Sequence, residues 1–190
     1  MGRAFRRDMA RRFLLALSLV SCYMPLQGAT LERLTLDDMI EKSTAIVRGR
    51  ITGSYAEARG NVVYTRYQMR VEERWKGPEQ PAVEFLVPGG AAGRLRQTYP
   101  GAPKLVEGKE YLIFLWSSPR TRASYVLGFT QGLFNLPRDA GGVAMAVREP
   151  SGEIMLEPVT GRAVRDERIE MRLRDMSARI SNSLARGARK

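Results

Sequence analysis

Five carboxylates in the middle of the chain, Glu72, Glu73, Glu79, Glu84 and Glu107, are the residues with which this sequence could do acid/base chemistry. A hydrolase of the glycosidase type needs two of them flanking a scissile bond, one as acid and the other as base or nucleophile. Their spacing singles out no such pair, and adjacent acids such as Glu72 and Glu73 point to opposite faces of a strand. The chain has no histidine, which removes the commonest general base, the commonest metal ligand and every Ser-His or Cys-His nucleophilic pair. Its single cysteine, Cys22, excludes an intramolecular disulfide framework and a thiolate metal cluster. The expectation is a protein with no catalytic residue, no metal ligand and no cofactor, and the alternative is a carboxylate-dependent hydrolase.

Two other patterns could hold a ligand. Gly89-Gly90-Ala91-Ala92-Gly93 is rich enough in glycine to cradle a phosphate, but no Lys-Ser/Thr and no helix start follows it, so a loop is expected. Tyr64, Tyr67 and Trp75 are candidate stacking platforms for single-stranded nucleic acid. Alternation puts Tyr67 and Trp75 on one inward face, where core packing is the expectation. The net charge of +11 is also misplaced for a nucleic-acid groove: residues 1–29 carry +4, residues 162–190 carry +5 and the body only +2. No nucleic acid is expected as a partner.

The basic start, with Arg3, Arg6, Arg7, Arg11 and Arg12, leads into the apolar run from Phe13 to Leu26. A charged segment followed by about fourteen apolar residues matches a secretory signal and falls short of the ~20 that a spanning helix needs. Residues 1–29 therefore read as a signal peptide, cut after Gly28 or Ala29, with a periplasmic or extracellular destination. Leu19-Val20-Ser21-Cys22 also resembles the lipobox of bacterial lipoproteins, which makes Cys22 a candidate lipid attachment site and the membrane a candidate anchor.

Stepping along the body, Thr35 and Asp38 form a capping-box start to a short helix at about 36–43. Thr44–Gly53 and Asn61–Gly77 alternate with a period of two around Arg59-Gly60-Asn61, the pattern of a β-hairpin. Ala45, Val47, Gly49 and Ile51 share one face of the first arm, and Val63, Thr65, Tyr67, Met69 and Val71 share one face of the second, with Val62 and Tyr64 as apolar exceptions among the polar residues opposite. An arm of fifteen residues exceeds the usual strand length, so it must bend. Further strands are expected at Ala82–Pro88, Arg94–Tyr99, Tyr111–Trp116, Ser124–Phe129, Gly132–Leu136, Val143–Arg148 and Ile154–Leu156, with Tyr111–Trp116 buried on both faces. From Ala163 onward Ile169, Leu173, Met176, Ile180 and Leu184 follow helical spacing, so residues 162–190 read as a basic amphipathic helix that docks on the body or lies on an anionic membrane.

The run of Ala45-Ile-Val-Arg-Gly-Arg-Ile51, a strand ending in Lys76-Gly77, and Gly108-Lys-Glu-Tyr-Leu-Ile-Phe-Leu115 resembles a group of uncharacterised exported bacterial proteins. It is also similar to the netrin-like and metalloproteinase-inhibitor domains. That resemblance covers about residues 30–136 and implies a small OB-type closed barrel over residues 30–161. The inhibitors act through an N-terminal cysteine in a disulfide framework, which this body lacks, so their activity is not implied. The function expected is that of an exported envelope protein, a non-catalytic module that binds a protein, peptide or glycan partner.

Overall fold

The computed structural model describes residues 30–188; residues 1–29, read above as a signal peptide, and with them Cys22, lie outside the described residues. The protein is mainly β, with a short N-terminal helix and a C-terminal helix among the described residues. Strand β1 (Thr30–Glu32) precedes helix α1 (Leu36–Lys42), which starts where expected. Thr35 Oγ1 accepts from the Asp38 N–H at 3.1 Å while the Asp38 carboxylate accepts from the Thr35 N–H at 2.9 Å, a reciprocal cap on two otherwise unpaired donors.

The long hairpin follows as β2 (Ala45–Arg59) and β3 (Val62–Lys76). Three skips in its register place extra residues at Thr52, Glu72 and Trp75. Each is a bulge that bends the ribbon and turns the following side chains to the other face. This corrects one expectation. Tyr67 stacks inside on Phe85, with ring centroids 5.7 Å apart, but Trp75 packs on the opposite face of the sheet.

Strand β4 (Ala82–Pro88) pairs along β3, and the glycine-rich stretch is a small hairpin rather than a loop, with β5 (Gly90–Ala92) against β6 (Leu95–Gln97). Strand β7 (Glu110–Ser117) pairs with β2, and β8 (Ser124–Val126) pairs antiparallel to β7 and parallel to β4. The pairings β7–β2–β3–β4–β8 thus return to β7. Beyond Val126 the expected strand gives way to a 3-10 turn, Phe129–Gly132, entered through positive φ at Gly128 and Phe129.

Strands β9 (Leu133–Asn135), β10 (Met145–Arg148) and β13 (Ile169–Arg172) extend the sheet outward from β7. Strands β11 (Ile154–Leu156) and β12 (Ala163–Val164) form a separate patch with β1. Helix α2 (Leu173–Gly187) begins later than the spacing predicts, because Ile169 belongs to β13, whose pairing with β10 satisfies its backbone.

The sheet has a core on each side. Val47, Ile51, Met69, Phe85, Ile113 and Leu115 fill the inner one. On the other face Ile46, Leu112, Phe114 and Phe134 pack under Met39 and Ile40 of α1 and Leu173, Met176 and Ile180 of α2. Alternate residues of β7 serve both cores, which explains its unbroken apolar run. The apolar stripe of α2 is therefore covered by the sheet, and no helix among the described residues is long and apolar enough to cross a membrane.

Candidate functional site

The carboxylates of the hairpin and its neighbours are engaged by arginines. Glu73 meets Arg48 at 3.3 Å, Glu72 lies 3.7 Å from both Arg50 and Arg70, and Glu84 meets Arg66 at 3.0 Å. Glu57 accepts from Arg66 and Arg59, each at 2.8 Å. The Arg66 hydrogen bond holds the Glu57 carboxyl below the ordinary glutamate range. Such a group stays ionised, whereas the general acid of a glycosidase needs its pKa raised. Glu79 and Glu107 are exposed on separate turns. The described residues contain no group of three or more His, Cys, Asp or Glu able to hold a metal ion.

Beside these ion pairs lies a row of side chains that backbone pairing lines up across five strands. Tyr55 of β2 is opposite Arg66 of β3, Arg66 is opposite Leu86 of β4, Leu86 is opposite Tyr125 of β8, and Tyr125 is opposite Trp116 of β7. Directly paired residues in a sheet share a face, so register alone assembles the row. Its ends are open, Tyr55 at 50% and Trp116 at 40% exposure, while Leu86 beneath the centre is 1% exposed. The Arg66 guanidinium sits 5.9 Å from the Tyr55 ring centre, within cation–π range. Tyr125 is the hub: its ring lies 6.3 Å from Trp116 and 6.2 Å from Tyr64, the latter edge-on.

A cavity of about 360 Å³ opens beside this hub, walled by Tyr64, Leu86, Pro88, Pro103, Tyr125 and Phe129. Burial pushes the Tyr64 hydroxyl up from its ordinary pKa, so it stays a neutral donor and acceptor. Apolar ring faces with Arg66, Glu84 and Gln68 alongside can receive a ligand that is flat and apolar on its faces and polar at its edges. Glu84 is held in place by Gln68 Nε2 at 2.9 Å as well as by Arg66.

Of the three aromatics the sequence puts forward, the structure brings only Tyr64 to this site. Tyr67 is core, and Trp75 donates to Ser177 on α2. Trp116, expected to be buried with the rest of β7, is exposed at the strand's end. Tyr55, Arg66, Tyr125 and Trp116 are missed by the sequence reading, and the one signal for them is Tyr64 itself, an aromatic on the polar side of an alternating strand. Compared with known proteins, the chain matches no protein family, no curated protein and no solved structure.

Proposed function

We propose that the chain is an exported, non-catalytic binding protein of the cell envelope, that its ring of strands is a small barrel of the OB type, and that its aromatic row holds a glycan. The row of Tyr55, Arg66, Leu86, Tyr125 and Trp116 carries this reading. The C–H face of a pyranose is apolar and slightly positive, so it stacks on the negative face of an aromatic ring, while its hydroxyls reach edge groups such as Arg66, Glu84 and Gln68. In OB barrels the face of the second and third strands binds oligosaccharides or oligonucleotides; β3 and β4 hold those places in this ring. The strand order supports the barrel, since β2, β3, β4, β7 and β8 pair in a cycle with β4 and β8 parallel. Nucleic acid fits less well, because Arg66 is already matched by two carboxylates. Export rests on the composition of residues 1–29.

Trp116 fluorescence in a Trp75→Phe background tests the reading by titration with cello-, chito- and malto-oligosaccharides. A saturable change with at least one of them, abolished by Tyr125→Ala, is the expected result. A response only to single-stranded DNA or to peptides would replace the glycan. Export and anchoring are checked by the intact mass and cellular fraction of the native protein: a diacylated Cys22, or a chain starting near Ala29 or Thr30, would each place it outside the cytoplasm.

A further inference from the structure

A second cavity, about 450 Å³, lies on the other side of the 3-10 turn and is walled in part by Gly101, Thr130, Arg148, Ser151 and Glu153. Arg148 projects from β10 with its side chain only 4% exposed. Its Nη2 donates to Asp166 Oδ1 at 2.6 Å and to the Glu167 carbonyl at 2.8 Å. Its Nε and Nη1 have no hydrogen-bond partner among the described residues, and the same is true of Thr130 Oγ1, Ser151 Oγ and Glu153 Oε2, all buried atoms. Buried polar atoms in native proteins are nearly always paired, and four residues that carry such unpaired atoms line this one cavity.

The site is also framed rather than loose. Asp166, its side chain 1% exposed, receives the Ser151 N–H at 2.8 Å and the Glu167 N–H at 2.9 Å as well as Arg148, which fixes both the arginine and the loop that carries Ser151. Gly101 makes room on the opposite wall: a Cβ there would overlap the Glu153 carboxylate, and its φ of +73° suits glycine.

The charges indicate what class of molecule fits. Asp166 already balances Arg148, so its remaining N–H groups call for an acceptor without demanding an anion. Glu153 calls for a donor. A hydroxyl is both at once, and Thr130 and Ser151 can give or accept as the ligand requires. Adjacent hydroxyls on one ring meet the whole set. Moreover, the segments 101–103 and 128–130 wall both cavities: Pro103, Gly128 and Phe129 face the aromatic one, and Gly101, Ala102 and Thr130 face this one.

We infer that the Arg148–Glu153 cavity is a second subsite of the glycan site, taking the hydroxyls of one sugar residue while a neighbouring residue stacks at Tyr64 and Tyr125. This rests on the glycan reading above. It is tested with whichever oligosaccharide changes Trp116 fluorescence, by calorimetric titration of the wild type and of a Thr130→Val, Glu153→Gln variant. Arg148 is left in place, because its loss would strand buried Asp166 without its cation. The variant should keep the wild-type melting temperature and bind about tenfold more weakly, the loss expected of one or two hydrogen bonds. Gly101→Ser, which pushes the carboxylate aside, should weaken binding in the same direction. Unchanged affinity in the first variant, with Trp116 still responding, overturns the subsite and leaves the aromatic site standing. Failure of every oligosaccharide to bind the wild type overturns both.

Discussion

The indole Nε1 of Trp75 donates to Ser177 Oγ at 3.0 Å, fastening the far end of the long hairpin to the C-terminal helix. Together with buried Leu173, Met176 and Ile180 it makes α2 part of the fold. Deleting residues 173–190 should therefore cost several kcal/mol, since each fully buried apolar side chain contributes about 1.5–3 kcal/mol before entropy is subtracted. A drop of many degrees in the melting temperature is expected by circular dichroism. Ser177→Ala alone should cost about 0.5–1.5 kcal/mol. A truncated chain that melts like the full one would refute the docking of α2.

The two faces of β3 should respond in opposite ways to charge. Met69 is fully buried in the inner core, whereas Arg70 next to it is exposed. Burying an unpaired ammonium costs more than a marginally stable domain can bear, so Met69→Lys should fail to give a cooperative melt. Arg70→Lys should stay within about 0.5 kcal/mol of wild type in urea denaturation.

Gly49 lies at one of the bulges, and a Cβ there would run into the backbone carbonyl of Arg70. A carbonyl in a paired strand cannot move aside as a flexible side chain can. Gly49→Ala should destabilise by about 1–3 kcal/mol, as overpacking does, despite alanine's smaller backbone entropy cost. Equal or higher urea resistance would show that the hairpin is looser at this bulge.

The Thr35 cap should leave a pH signature. Its hydroxyl hydrogen bond lowers the Asp38 carboxyl below the ordinary value. A depressed carboxylate adds stability that is present above its unfolded pKa and is lost as pH falls through the folded one. Thr35→Ala should thus cost about 0.5–2 kcal/mol near neutral pH. The difference from wild type should shrink as pH falls below the ordinary aspartate range and through the lowered folded value, beneath which Asp38 is protonated in folded and unfolded chains alike. Denaturation curves at neutral and acid pH decide it; a constant difference would mean the carboxylate plays no part in the cap.

Within the aromatic row, stability and binding should separate. Tyr55→Ala and Trp116→Ala remove exposed rings and should barely move the melting temperature, while weakening glycan binding by about 0.5–1.5 kcal/mol each. Leu86→Ala removes a buried side chain and should cost about 2–5 kcal/mol in stability. Loss of binding only in Leu86→Ala would make the row a packing feature.

The hairpin, its inward residues and the capped first helix were legible because each is written in local periodicity. The side on which Trp75 falls was not, since the bulges at Glu72 and Trp75 are set by how β2 lies against β3 and leave no mark in the spacing of β3. Ile169 fits a helical stripe by coincidence of spacing with Leu173, and only its pairing with β10 reveals a strand. The site is legible least of all. Tyr55, Leu86, Trp116 and Tyr125 come from four strands far apart in sequence, and the pairing of β4 with β8 that unites them is long-range. The same holds for Arg148, Asp166 and Glu153, whose polar side chains read as surface until burial shows otherwise.

The ring of strands is unevenly fastened. One residue pair, Leu86 with Tyr125, joins β4 to β8, against seven between β3 and β4. Local opening in proteins begins where few backbone bonds must break, so the amides along this seam should exchange with solvent well before those of the hairpin. A sugar chain lying over Tyr64, Tyr125 and Trp116 would span that seam and act as a clasp, slowing the exchange of β8 without altering the core. Binding of such a chain and opening of the seam would then oppose one another, since contacts that bridge β3, β8 and β7 must be given up before the seam can part.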